Sequence, residues 1–392
     1  MSPLQEDYVA TVPVGKLGII ALESCRTMGQ KINDYIVSWR TKRLLEEHTP
    51  TVLFDGYERS SFLVDTKCPR FGSGEAKGLI KESVRGDDLY ILVDVTNYSL
   101  SYTVRGQINH MSPDDHYQDL KRIISAVSGK AHRITVIMPF LYESRQDKRS
   151  SRESLDCAVA LQELINLGVS SIITFDAHNP SVQNAIPLQS FESVPPTYQF
   201  MKALLRTAPD LIVDPAHLMV ISPDEGAMGR AVYFATALGV DVGMFYKRRD
   251  YATIVDGRNP IVAHEFLGAD LEGKDVIIID DMISSGDSMI HTAMELKKRN
   301  ANRIFICSTF GLFTNGMDKF DKAFADGLIT KVITTNLIYQ PEELLSRPYY
   351  ESADMSKYIA LLIDALNHDG SISEYLNPSA RISALLKKYG KR

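Results

Sequence analysis

A chain of 392 residues is longer than one ordinary hydrophobic core supports and points to two domains. Hydrophobic residues make up 44% and charged residues 23%, the balance of a soluble globular protein and not of a disordered or fibrous one. A formal charge of -6 argues against a general nucleic-acid binder, which would display a net basic face, and leaves room for a local basic patch against a small phosphorylated ligand.

The chain opens on the acidic "MSPLQEDYVA", and no apolar run approaches the roughly 18 residues a membrane span needs, so neither secretion nor a membrane partner is expected. Short β-rich runs then alternate with helix-like segments: "DLYILVDV" (88–95), "RITVIMPF" (133–140), "SIITFDAH" (171–178), "HLMVISPD" (217–224), "DVIIID" (275–280) and "RIFICSTFG" (303–311). Continuous apolar strands spaced by helices imply parallel sheets covered on both faces, an α/β architecture. Residues 160–173 lie over 292–305 with Glu163 and Glu295, Leu164 and Leu296, and Ile172 and Ile304 in register. An ancient duplication explains this match, and so does the general likeness of any two strand-helix-strand units. The paired prolines of "LQSFESVPPTYQF" break the pattern near residue 190, which predicts domains over 1–190 and 191–370 and a tail over 371–392. The tail ends in the basic amphipathic "SALLKKYGKR", read as a solvated terminal helix. Cys25, Cys68, Cys157 and Cys307 are widely separated without CxxC spacing, so reduced thiols in a cytoplasmic protein are expected.

The stretch "IIIDDMISSGDS" (277–288) poses the chemical question. It sets Asp280 and Asp281 at the C-terminal end of a predicted strand, where open α/β sheets bind ligands. The small residues from Ser284 to Ser288 then lead into a helix. Such a loop lets backbone N–H groups close around an anion, and Ser284, Ser285 and Ser288 add hydroxyl donors. Carboxylates repel a phosphate, so they must meet hydroxyls or a cation-bridged part of the same ligand; a sugar phosphate has both ends. A Walker A loop and a GxGxxG turn are both absent from the sequence.

This loop resembles the phosphoribosyl-pyrophosphate binding motif of the type I phosphoribosyltransferase fold, in which two acidic residues precede a small-residue loop. Further stretches resemble the ribose-phosphate pyrophosphokinase family, over about residues 71 to 375. "FGSGEAKGLIKESVRGDDLYI" (71–91) is similar to the family's adenine-contacting segment, which implies nucleotide recognition by Phe71, Ser73 and Glu75. "SRQDKRSSR" (144–152) resembles an Arg-Gln-Asp run and implies that Arg145 and Gln146 meet ATP phosphates and ribose. It departs from the pattern: Glu143-Ser144 replaces a single small residue, the stretch after Lys148 is one residue shorter, and an acidic residue of the family lacks a clear counterpart. "FDAHN" (175–179) implies His178 as a ligand to the magnesium carried by ATP, with Asp176 supporting it; taken alone, His178 would be a cap or a surface residue. "SPDEGAMGR" (222–230) implies Asp224 near the ribose and a second metal position, with Gly226 allowing close backbone approach. "YKRRD" (246–250) resembles the start of a catalytic flexible loop, with Lys247 and Arg249 as catalytic cations and "YATIVDGRN" as the lid.

The resemblance implies two similar phosphoribosyltransferase-like domains, each a mostly parallel sheet flanked by helices, with ATP on the first and ribose 5-phosphate on the second. It places Asp224, Asp280, Asp281, Ser284, Ser285, Gly286, Asp287 and Ser288 at the sugar phosphate and His178 and Asp224 at metal positions. The implied reaction forms 5-phosphoribosyl 1-pyrophosphate and AMP, with Mg²⁺ as cofactor. Family members assemble from dimers, commonly into hexamers, so a homo-oligomer is expected. A non-catalytic regulatory homologue and a phosphoribosyltransferase are the alternative readings.

Overall fold

The structure is a computed structural model that describes residues 12–46, 54–249 and 261–391. The chain forms two compact units: the first takes the chain up to Pro195 with Leu337–Tyr339 and Asp354–Leu376, the second takes Pro196–Asn336, Gln340–Ala353 and the segment from Asn377 onward. No described helix is long and apolar enough to cross a membrane. All four cysteines are free thiols.

The first unit runs through β1 (Lys16–Ala21), α1 (Arg26–Glu46), the short ribbon β2 (Thr66–Lys67) and β3 (Leu79–Ile80), β4 (Asp87–Leu92), and a hairpin of β5 (Ser101–Val104) and β6 (Gln107–His110). It continues with α2 (Pro113–Val127), β7 (Arg133–Ile137), α3 (Asp156–Asn166), β8 (Ser171–Phe175) and β9 (Ser190–Val194). Its five-stranded sheet has the order β1-β4-β7-β8-β9, and every pairing is parallel. The β5–β6 hairpin occupies the segment 97–115, and α2 follows it with a capping box, Ser112 and Asp115 each accepting from the other's backbone N–H.

The second unit runs through α4 (Thr197–Thr207), β10 (Leu218–Ser222), α5 (Met228–Leu238), β11 (Asp241–Arg249), β12 (Ile261–Leu267), β13 (Asp275–Ile283) and α6 (Asp287–Lys297). Then come β14 (Ile304–Gly311), α7 (Asp318–Ala325), β15 (Lys331–Thr335), α8 (Glu342–Leu345) and β16 (Tyr350–Ala353). Its seven strands lie in the order β12-β11-β10-β13-β14-β15-β16, parallel except for the β11–β12 ribbon. Alternate residues of one strand feed two cores. Leu218, Val220, Ile277, Ile279, Phe305 and Cys307 pack with α4 and α5, whereas Met219, Ile221, Val276, Ile278, Ile304 and Ile306 pack with α6 and α7. Both faces of each central strand are therefore apolar, which is why these strands read as unbroken hydrophobic runs. The residues matched in sequence hold matching places: Leu164 and Leu296 on a helix face, Ile172 and Ile304 on the following strand, all fully buried.

After β16 the chain adds α9 (Ser356–Asn367) and α10 (Ser373–Leu376) to the first unit and α11 (Ser379–Lys388) to the second. α9 packs on α1 through a buried charge cluster. Arg40 donates to Asp364 Oδ1 at 3.1 Å and to Asn367 Oδ1 at 2.7 Å, and Arg43 donates to Asp364 Oδ2 at 2.6 Å. Asn367 in turn donates to Asp88 Oδ2 at 2.9 Å, and Asp88 pairs with Arg133 at 2.7 Å. The terminal helix expected to be solvated is only half so. Ile382, Leu385 and Leu386 repeat at helical spacing and bury into the core beside α4 and α5, leaving Lys387 and Lys388 exposed.

Candidate active site

In the second unit, β13 does not stop at Asp280. It stays paired with β14 as far as Ile283 opposite Gly311, while its other neighbour, β10, last pairs with it at Ile221 opposite Ile278. Asp280 and Asp281 thus belong to a strand extension whose β10 side is open, because β10 ends at Ser222 and turns through Asp224 into α5. That turn is tightly held: Ser222 Oγ donates to the Asp224 carbonyl at 2.6 Å, and the Asp224 carboxylate accepts from Gly226 N–H at 3.1 Å. On α5, Arg230 brings Nη1 to 3.7 Å from Asp280 Oδ1 and 4.0 Å from Asp281 Oδ1. Burial and the neighbouring Asp281 push the Asp280 carboxyl well above its ordinary range, and Arg230 opposes that rise. Arg230 is thus the cation that favours the ionised form of a crowded pair which burial pushes toward the protonated one.

The small-residue loop follows at once. Gly286 caps α6 in the left-handed region at φ 81°, and a Cβ there would stand 2.3 Å from the Phe320 ring, so both backbone angle and packing call for glycine. Thr314 N–H donates to the Ser284 carbonyl at 3.0 Å, which pins the loop to the segment after β14. The Asp287 carboxylate accepts from Ser285 Oγ at 2.9 Å and pairs with Lys319 of α7. The N-cap of α6 is Gly286, which has no side chain to cap the helix, and Ser285 Oγ accepts from Asp287 N–H at 3.4 Å; the start of a helix favours an anion.

β11 is parallel to β10, pairing up to Ser222 opposite Met244, and its backbone then continues as a ribbon with β12, Lys247 opposite His264 and Arg249 opposite Ile261. At ~3.3 Å per residue, the Lys247 and Arg249 backbones extend roughly 10 and 17 Å past the last β10 pairing, at the sheet end that carries Asp280. The expected lid, 251–259, lies outside the described residues.

The first unit holds the residues expected on the nucleotide side. Phe71 stands half-exposed in a turn closed by Phe71 N–H donating to the Glu75 carbonyl at 2.7 Å, and Ser73 Oγ donates to Glu75 at 2.7 Å. Lys77 Nζ sits 6.0 Å from the Phe71 ring centre. Arg145 is exposed, whereas the Gln146 amide donates to the Ser154 carbonyl at 2.8 Å. His178 is exposed just beyond β8, after Asp176, whose φ is 43°. Next to it, Asn179 donates to Asp147 Oδ2 at 2.5 Å, which ties the Arg145 loop to the end of β8. Among the described residues no three His, Cys, Asp or Glu side chains gather as a metal cage. Mg²⁺ is commonly held by one or two carboxylates plus substrate phosphates, a donor set that Asp224 fits.

Two residues of the second unit's site escaped the sequence reading. Arg230 closes the quoted "SPDEGAMGR", but its partners Asp280 and Asp281 lie about 50 residues further on, so its place in that stretch was the only signal. Lys319 had none, since it lies 32 residues from Asp287 in sequence.

Residues 17–168 match the N-terminal domain of ribose phosphate pyrophosphokinase, and residues 253–377 match the phosphoribosyl synthetase-associated domain. The chain is 30% identical over 321 residues to the ribose-phosphate pyrophosphokinase of Vibrio cholerae, covering 80% of this chain and 92% of that one. It is 27% identical over 280 residues to the same enzyme of Aquifex aeolicus, covering 70% and 80%. The crystal structure of phosphoribosylpyrophosphate synthetase from Mycobacterium smegmatis shares the fold, with a TM-score of 0.70 at 21% identity over 91% of this chain and all of that one. The architecture is accordingly two phosphoribosyltransferase-like domains, each a mostly parallel sheet flanked by helices.

Proposed function

The chain belongs to the ribose-phosphate pyrophosphokinase family, and on that premise we propose that it makes 5-phosphoribosyl 1-pyrophosphate from ATP and ribose 5-phosphate, releasing AMP. The observation that supports this reading at the level of atoms is the Asp280–Asp281 pair held beside Arg230 and followed directly by the glycine-led start of α6. Asp280 and Asp281 accept from the 2- and 3-hydroxyls of the sugar. The backbone N–H groups and hydroxyls from Ser284 to Ser288 take its 5-phosphate, with Gly286 shaping the turn.

So held, the sugar offers its 1-hydroxyl. Its oxygen forms a bond to the β-phosphorus of ATP, the bond from that phosphorus to the α,β-bridging oxygen breaks, and AMP leaves with the electron pair while the hydroxyl proton passes to solvent water. Lys247 and Arg249 stabilise charge on the transferring group and on the departing AMP. On the nucleotide side Phe71 stacks on the purine, Ser73 and Glu75 read its edge, and Arg145 and Gln146 approach the phosphates and ribose. His178 would be a ligand to the Mg²⁺ carried by ATP and Asp224 would stand at a second metal position, where the ion would supply neutralisation of the phosphate charge. The active form is a homo-oligomer built from dimers.

A product assay tests the reading. With ATP, ribose 5-phosphate and Mg²⁺, one AMP should form per sugar consumed, and none should form without the sugar. Accumulation of ADP with a singly phosphorylated sugar product would make the enzyme a sugar-phosphate kinase instead.

A further inference from the structure

A carboxylate at the seat of a phosphate calls for a physical explanation. Asp287 is the first residue of α6, and although its N–H already donates to Ser285 Oγ at 3.4 Å, its side chain brings a negative charge to the helix start at which the phosphate is proposed to sit. Lys319 and Ser285 hold that carboxyl below its ordinary range, so it is fully ionised at neutral pH. An acid in the first turn favours the helix in isolation, but beside a bound phosphate its charge is repulsive. The cation that meets it is delivered by the residue that seats the loop. Phe320, the neighbour of Lys319 on α7, is fully buried against Gly286 and edge-on to Phe313 at 5.2 Å. Clamping the glycine turn with Phe320 therefore fixes Lys319 beside Asp287.

We propose that Lys319 is a positioning residue of the 5-phosphate seat, cancelling the charge of Asp287 so that the N–H and hydroxyl donors of the 284–288 loop are left to the substrate. The proposal rests on the assignment of this loop to the sugar phosphate. A merely structural ion pair, with both side chains about half exposed, would contribute little to folding and nothing to ligand affinity.

Calorimetric titration of the full chain with ribose 5-phosphate, without ATP, tests it. Lys319→Met should weaken binding by about tenfold or more, because a like charge then stands unscreened beside the phosphate. Asp287→Asn should bind as tightly as wild type or tighter, and the double variant Asp287→Asn with Lys319→Met should return to within about threefold of wild type, since the neutral amide removes the charge that Lys319 cancels. Lys319→Arg, which keeps the cation, should also bind within about threefold, which separates charge from misfolding. Lys319→Met binding within about twofold of wild type, or a double variant as weak as the single one, overturns the proposal. A wild-type chain that binds no ribose 5-phosphate overturns both the proposal and the assignment of the loop.

Discussion

At Asp280 the decisive competition is between burial and Arg230. Burial and the adjacent Asp281 favour the protonated carboxyl and Arg230 the ionised one, so on the proposed reading, in which the ionised pair accepts from the sugar hydroxyls, the guanidinium at 3.7 Å sets the pH at which sugar is held. Because the folded carboxyl is raised, binding that needs its charge is present at high pH and lost as pH falls through the raised value. Replacing Arg230 by Met removes the opposing cation, and ribose 5-phosphate affinity should fall at neutral pH and recover on alkalinisation, with the acid limb displaced upward by about one to two pH units. Titrations across pH check this, and an unmoved acid limb would mean that Arg230 acts only through packing. The carboxylates themselves were legible in the sequence because two acids after an apolar run are an anomaly in any α/β strand. Arg230 and Lys319 were not, since a surface-type Arg or Lys signals a role only when the fold brings it to an acid.

At the level of elements, the strands were legible from their apolar runs, since each central strand must satisfy two cores. The extension of β13 through Ile283 was not, because it depends on β14 continuing alongside after β10 has turned away. The return of α9 to the first unit was equally hidden: its partners on α1 lie more than 300 residues earlier, and the signal is a buried aspartate on an otherwise apolar helix. Burial alone would raise the Asp364 carboxyl, but Arg43 and Arg40 outweigh it and hold it well below the usual carboxylate range. A depressed folded value means stability that is present above the unfolded value of about 3.9 and lost as pH falls below it. Asp364→Asn should cost roughly 3 to 5 kcal/mol at pH 7, because two arginines are left buried without their counter-ion. Denaturant unfolding should show that deficit narrowing as pH falls below about 4, because the unfolded carboxyl takes up a proton there while the folded one stays ionised between its arginines to a much lower pH. A variant as stable as wild type at pH 7 would mean that the cluster contributes no net stability to the α1–α9 packing.

For the whole molecule, the family follows from a match along most of the chain. The C-terminal helix α11 completes a core of the second unit. The residues expected at ATP fall in the first unit and those expected at the sugar phosphate in the second, a division that suits an enzyme joining two substrates. The central claim is that a pyrophosphoryl group moves as one piece, and the direct measurement follows both of its phosphorus atoms. ATP labelled at the β- and γ-positions should pass both labels to the ribose product in equal amounts, in step with AMP release and only in the presence of Mg²⁺. Transfer of the γ-label alone, with the β-label left on ADP, would contradict the account.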